Sequence, residues 1–234
     1  MEKKYYRVEM NLVETGSIND TSKMNYGDNF KKDYYDHFLK SYFSVLDKIN
    51  LPVDFLVSVT NQIIGMGDMY TDILMSAIDN EDNIVLYKVT KNEKHKNYKI
   101  PVRLMGEFLQ SFDERNQFIY FDNGATLWEA FLEKVRAKEF SNLPSRMKSI
   151  FLFDSYASCN YYRQNHTGGK GNVVEIELIE TRNVFEADMQ IIDDIENSIS
   201  RDELLETVRK YWRGEKSANP IMEIIFQGTY KLLD

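Results

Sequence analysis

Ile221-Met222-Glu223-Ile224-Ile225-Phe226-Gln227-Gly228 is the stretch on which the reading of this chain turns. Its apolar density and β-branched residues mark a buried strand, and Pro220 and Gly228 bound it. A strand places successive side chains on opposite faces, so with Met222, Ile224 and Phe226 toward a core, Glu223 shares the other face with Ile221 and Ile225. A carboxylate among apolar neighbours calls for a chemical reason: to orient a hydroxyl, act as a base, or stabilise a nearby cation. The plainer alternative is a partly exposed edge-strand glutamate beside a Lys or Arg.

Working back from this strand, Ser200 and Glu203 form a capping box for a helix through Leu204, Leu205, Val208, Tyr211 and Trp212. Before it, Val174, Ile176 and Leu178 alternate with Glu175 and Glu177 as a strand with one wet face. His166-Thr167-Gly168-Gly169-Lys170-Gly171 reads as a flexible turn. Ser149-Ile150-Phe151-Leu152-Phe153 reads as a short buried strand, with Asp154 or Ser155 capping a helix to about Arg163. Thr126 and Glu129 suggest another capping box, opening a helix whose apolar face is Leu127, Trp128, Phe131, Leu132 and Val135. At the amino end, Tyr6, Val8 and Met10 alternate with Tyr5, Arg7 and Glu9, a first strand carrying Arg7.

Between these flanks, Tyr35 to Ile49 has helical spacing and ends before Asn50-Leu51-Pro52. Met69–Ile78 and Arg103–Phe112 read as helices, and Asn83–Val89 and Gln117–Phe121 as strands. The predicted order is strand, helical middle, strand, helix, strand, helix, strand. That predicts one α+β domain over 1–234 with a helical elaboration at about 20–115.

The 234 residues are 43% hydrophobic and 13% aromatic, enough for a sizeable core. Lys and Arg total 29 against 37 Asp and Glu, a net charge of −8, which disfavours indiscriminate coating of nucleic acid or anionic lipid. Cys159 is the one cysteine, so an intrachain disulfide is excluded, and a thiolate zinc site of the usual kind with it. His37, His95 and His166 form no HExxH pattern, and no metal is expected. No apolar stretch approaches membrane-spanning length and the first residues carry no export signal, so the expectation is a cytoplasmic protein with no membrane partner.

Several other residues bear on binding. Serines Ser149 and Ser155 bracket the short strand and Tyr156, Tyr161 and Tyr162 follow, a set that suits a flat heteroaromatic ligand or, equally, a capped helix packed on a sheet. Arg7 and Arg146 are anion-binding candidates through their forked donors, or ordinary strand and loop ion pairs, Arg7 with Glu9. The glycine-rich turn offers backbone N–H groups with His166 and Lys170, but without the spacing of a nucleoside-triphosphate loop. Lys88, Lys91, Lys94, Lys96 and Lys99 with His95, flanked by Tyr87 and Tyr98, form a basic run in an acidic chain. This run suits phosphate contacts with base stacking, or a solvated hairpin. His37 and Cys159 read as packed rather than catalytic.

Taken in order, the strand with Tyr6-Arg7, the Ser149 to Tyr162 strand and helix, the strand leading to Ala187-Asp188 and the late Glu223 resemble the ADP-ribosyltransferase-like superfamily. Trp128-Glu129, Arg136, Pro144-Ser145-Arg146 and Tyr211-Trp212-Arg213-Gly214 also resemble an uncharacterised bacterial family associated with it. The resemblance covers about residues 1–16 and 120–234. It implies a split mixed sheet and NAD as substrate. By position it assigns Glu223 as the catalytic carboxylate, and Arg7, Ser149 or Ser155, and Tyr162 as NAD-binding residues, to which Arg146 is added. His166, Lys170, Lys94 and Lys96 are the acceptor-side candidates. The chain lacks a Ser-Thr-Ser triplet, and Ile221 stands where a second acid would favour arginine modification.

The implied activity is ADP-ribosyl transfer to nucleic acid or protein by a bacterial or phage toxin or defence factor, with an antitoxin or inhibitor protein as a further partner. The alternatives are an NAD hydrolase, a non-catalytic nucleotide- or protein-binding module of the same fold, and a metal-dependent nuclease.

Overall fold

The computed structural model describes residues 4–10, 14–29, 128–196 and 199–233, the backbone at 84–91, 94–101 and 125–127, and residues 40, 43, 44 and 46–48. His37, the segment Val53–Ile64, the helices expected at Met69–Ile78 and Arg103–Phe112, the strand at Gln117–Phe121 and most of the helix at Tyr35–Ile49 lie outside them. The chain forms two compact units. One comprises residues 1–30, 129–195 and 206–234, the other 31–128 and 196–205.

The first unit is α+β and is organised by a sheet. Its strands are β1 (Tyr5–Glu9), β2 (Ile18–Asp20), β5 (Ile150–Leu152), β6 (Asn172–Asp188) and β7 (Met222–Leu232). The path runs β1-β6-β7-β2, with β5 also on β7, and every pairing among the described residues is antiparallel, where a mixed sheet was expected. β2 lies just ahead of the expected elaboration, where no strand was read from the sequence; it pairs Ile18 with Lys231 and Asp20 with Thr229.

β7 runs four residues beyond Gly228, which therefore does not end the strand. β6 is also longer than its alternating segment, with register shifts between Leu178 and Glu180 and between Thr181 and Asn183. At the first irregularity the Glu180 carbonyl crowds Gly228 so closely that any Cβ there would collide with it and with Phe226. Glycine permits that approach and keeps β6 and β7 paired along their length.

One sheet face carries Ile150, Leu152, Ile176, Ile224, Phe226, Tyr230 and Leu232 as a buried cluster. The other gathers Phe153, Cys159 and Met189, against which Tyr6, Val8, Tyr162 and Ile221 pack. α2 (Tyr156–His166) supplies Cys159 and Tyr162 and is capped by the Ser155 hydroxyl, which accepts from the Ser158 N–H at 3.1 Å. Burial pushes the Cys159 thiol up to about 12, leaving it a packing residue and not a nucleophile. Further α-helices are α1 (Ala125–Glu139), α3 (Gln190–Asp193) and α4 (Arg201–Trp212), and short 3-10 turns form at Tyr26–Asn29 and Arg146–Lys148. The Trp212 indole donates to the Leu132 carbonyl at 2.9 Å, locking α4 to α1.

β1 meets β5 at one antiparallel bridge, Tyr6 to Phe153, closed by two 2.8 Å backbone hydrogen bonds. Continued pairing would set Val8 against Phe151. Instead the strands part, and their separation opens the gap in which the site lies.

In the second unit, β3 (Ile84–Lys91) and β4 (Lys94–Pro101) form a hairpin whose register sets Tyr87 opposite Tyr98 and Lys91 opposite Lys94. The Ser200–Glu203 capping box is present: the Ser200 N–H donates to Glu203 Oε2 at 3.1 Å. Among the described residues no helix is long and apolar enough to cross a membrane.

Gly228→Ala is expected to lower unfolding free energy by about 1–3 kcal/mol through overpacking, read by urea denaturation. An unchanged midpoint would mean that β6 yields freely at Glu180.

Candidate functional site: a split between strands backed by a buried ion cluster

Past the Tyr6–Phe153 bridge, Arg7, Val8 and Met10 form one wall of an open cleft of about 150 Å³. Tyr26, Phe151, Phe153 and Tyr162 form an aromatic wall, and Asn25, Ile150 and Thr167 complete the lining. The Tyr26 and Phe151 rings meet edge to face at 4.9 Å, and Phe153 lies 5.3 Å from Tyr162. A cleft of this volume has room for a single aromatic ring.

Arg7 bonds Glu9 through Nε at 2.8 Å and donates Nη1 to the Tyr230 hydroxyl at 3.1 Å. Its Nη2 donates no hydrogen bond to a described residue. The Tyr162 hydroxyl is likewise uncommitted within the described residues. Burial, then the charge of Glu223, raises its pKa, so it is a neutral donor at physiological pH. Tyr162 also feels Arg146, Glu129 and Arg7, which places it in the fields of both the cleft arginine and the ion cluster.

That cluster stands behind the aromatic wall. Arg146 lies over the Phe151 ring at 4.4 Å. Its Nε and Nη2 edge grips Glu129 at 2.9–3.1 Å, while Nη1 donates to Glu223 Oε1 at 2.6 Å and to the Tyr211 hydroxyl. Tyr211 in turn donates to Glu223 Oε1 at 2.6 Å. Thus Oε1 takes both bonds; Oε2 accepts none from the described residues. Glu129 and Glu223 are 7% and 3% exposed, so two carboxylates share one guanidinium away from bulk water.

Burial opposes the charge on Arg146, but Glu129 and Glu223 outweigh it and hold the guanidinium well above its usual range. Burial raises the Glu129 carboxyl despite the Arg146 contact, because that cation is divided between two acids. Burial also lifts Tyr211 well above the ordinary phenol range, keeping it a proton donor.

Asp188 sets where β7 begins. Its carboxylate accepts from the N–H groups of Gln190, Ser217 and Ile221 at 2.7–3.1 Å, tying the approach to Glu223 to the end of β6.

The sequence candidates divide accordingly. Arg7 and Tyr162 share the cleft, and Arg146 and Glu223 touch. Arg7 and Glu223 do not converge directly: register puts Arg7 on the face of Val174 and Tyr230, and Glu223 on the other. Glu223 is neither exposed nor on an edge. Arg146 is not available for phosphate, because two carboxylates occupy it. Ser149 is fully buried and donates to the Ser145 carbonyl at 2.6 Å, and the Ser155 hydroxyl is used in its cap, so neither lines the cleft.

His166 stacks on Tyr162 at 4.9 Å and pairs with Asp193 at 3.1 Å. Lys170 is exposed, but the N–H of Gly169 donates to the Arg163 carbonyl of α2 and that of Lys170 to the Thr167 carbonyl, which removes them as phosphate donors. Lys94 and Lys96 lie on β4 of the second unit.

Sequence reading missed Glu129, Tyr211 and Tyr26 as members of the site. Glu129 was assigned to a cap with Thr126, yet Thr126 lies inside α1 and both Glu129 oxygens face Arg146. The one available signal was an acid within an apolar helix face.

Fold and site together define an α+β protein with a split antiparallel sheet and a buried acid–arginine–acid cluster beside the split. Residues 12–234 match the family described as protein of unknown function DUF2441, and the chain belongs to that family. No curated protein matches it.

Because the folded Glu129 carboxyl titrates above its ordinary 4.5, the stability it contributes is full below that pH and is lost as pH rises through the folded value. Glu129→Gln removes this decline. Its stability relative to wild type is therefore expected to improve from pH 4.5 to 8 in urea titrations, and a constant difference would contradict the assignment.

Proposed function

We propose that this protein is an ADP-ribosyltransferase that uses NAD as substrate and releases nicotinamide, and that its split antiparallel sheet is of the ADP-ribosyltransferase-like type. The observation that carries the reading is the divided carboxylate of Glu223. Oε1 is clamped by Arg146 and Tyr211, Oε2 accepts no bond from a described residue, and Arg146 lies on Phe151, which also lines the cleft.

The chemistry needs such a group. As the bond between the ribose C1′ and the nicotinamide nitrogen breaks, its electron pair leaves with nicotinamide and positive charge develops on the ribose. One fixed carboxylate stabilises that oxocarbenium and orients a ribose hydroxyl. The acceptor then bonds to C1′ and gives its proton to solvent. Glu223 is assigned the electrostatic role. Tyr26, Phe151 and Tyr162 form the platform for the nicotinamide ring, and Arg7 Nη2 and the Tyr162 hydroxyl are the free donors for the sugar and phosphates.

Nucleic acid is the preferred acceptor. The sequence gathers Lys88, Lys91, Lys94, Lys96 and Lys99 with Tyr87 and Tyr98 into one paired segment, a basic and aromatic composition suited to a single strand. A protein acceptor, or water in an NAD hydrolase, would use the same cleft. The lone cysteine fits a reducing cytoplasm, and a toxin or defence enzyme restrained by an inhibitor protein is the setting proposed.

The burial of Glu223 favours a second reading, a non-catalytic module that binds a nucleotide without turning it over. Incubation with labelled NAD and separate DNA, RNA and protein pools distinguishes them. Transfer supports the enzyme; binding without nicotinamide release supports the module. Glu223→Gln should remain folded and lose nearly all NAD consumption, and undiminished turnover would remove Glu223 from the mechanism. Arg7→Ala should weaken NAD binding by about tenfold in calorimetry, the loss of one charge-assisted hydrogen bond, and equal affinity would dismiss that contact.

A further inference from the structure

We infer that Glu129 and Arg146 are positioning residues that fix the reacting carboxylate of Glu223, with α1 as their support; the inference rests on the proposed role of Glu223. A guanidinium is a rigid planar fork, so gripping one edge dictates where the remaining nitrogen lies. Glu129 holds the Nε and Nη2 edge of Arg146 through both its oxygens. Phe151 underlies the flat face at 4.4 Å. Nη1 is left one direction, and there it meets Glu223 Oε1 at 2.6 Å.

The loop that carries Arg146 is held from the same helix. Glu133 and Arg136 follow Glu129 at i+4 and i+7 and therefore share its face. Glu133 accepts the Ser145 hydroxyl at 3.1 Å and pairs with Arg136 at 2.7 Å, and Arg136 Nη1 donates to the Leu143 carbonyl at 2.9 Å. Gln227 of β7 reaches the Ser145 carbonyl at 3.3 Å. The backbone before Arg146 is thereby fixed between α1 and β7, so the fork does not depend on its own flexible stem for aim.

Stability alone is a poor reason for this arrangement. A buried ion pair is often no better than apolar residues of the same volume, and here a second acid adds an uncompensated negative charge. The arrangement does secure direction: Oε1 is consumed by two donors and Oε2 is presented in one orientation.

Arg146→Lys and Glu129→Asp in the full chain test the assignment. Lysine keeps the charge without the fork, and aspartate keeps it with a shorter reach. Both should remain folded by thermal melting, keep NAD KM within about threefold and lower kcat about 100-fold, the cost of misplacing a reacting group by about an ångström. Glu129→Gln, isosteric with one acceptor retained, should recover part of that loss relative to Glu129→Asp.

A folded Arg146→Lys protein with wild-type kcat would overturn the inference. Carboxyl-carbon NMR supplies a readout independent of turnover. At one fixed pH, Glu129→Asp should move the Glu223 carboxyl-carbon resonance by re-aiming Arg146 Nη1, and a resonance superimposable on wild type would overturn the coupling. If the wild-type protein consumes no NAD while this shift is observed, the transferase reading fails and the coupling through Arg146 stands.

Discussion

The Arg146 guanidinium is the contact on which the first unit's arrangement depends. It comes from a short loop, yet it is bonded to α1 through Glu129, to β7 through Glu223 and to α4 through Tyr211, and it stacks on Phe151 of β5. Four elements distant in sequence thus meet at one planar cation. Removing a partner from such a cluster leaves a charge in the interior with nothing to balance it, a heavier cost than the net worth of the intact pair. The cluster therefore constrains the packing more than it stabilises it.

Its location gives that constraint a consequence for binding. β1 and β5 are joined at one bridge and then separate, and Phe151, which supports Arg146, also forms the cleft wall. The cleft and the ion cluster are two sides of one aromatic partition. Tyr162 lies where the charges of both meet. A ligand ring in the cleft and the fixed acid behind it would be coupled through this partition, and that geometry is why Glu223 and Arg7 can face opposite sides of a sheet and still belong to one proposed reaction.

Two four-residue patterns show how far sequence carried. Ser200 to Glu203 and Thr126 to Glu129 have the same Ser/Thr-x-x-Glu form, and both read as capping boxes. The first is one, because its bonds close within three residues. The second is not: Glu129 found a guanidinium 17 residues away and turned inward to it. Likewise, the alternation at Tyr5–Glu9 and the buried strand at Ile150–Leu152 were legible because each is a local rhythm. The strand at Ile18–Asp20 was not, since nothing in three polar-flanked residues announces pairing with Lys231 and Thr229.

Gly228 was misread as a strand end for a related reason. A glycine signals a special backbone requirement without saying whether that requirement comes from its own turn or from a neighbour pressing on it, and here Glu180 presses. For β1, β5, β7, α1, α2 and α4 the sequence by itself determined the element type, and it gave the α4 cap and the oddity of an acid at Glu223, all properties set by spacing along the chain. Only the tertiary structure decided which charges meet, that Arg146 is spent between two acids, and that the strands carrying Arg7 and Phe151 part to leave a cleft. Pairings of that kind depend on which surfaces remain to be buried once the local elements exist, and no short window of residues contains that information.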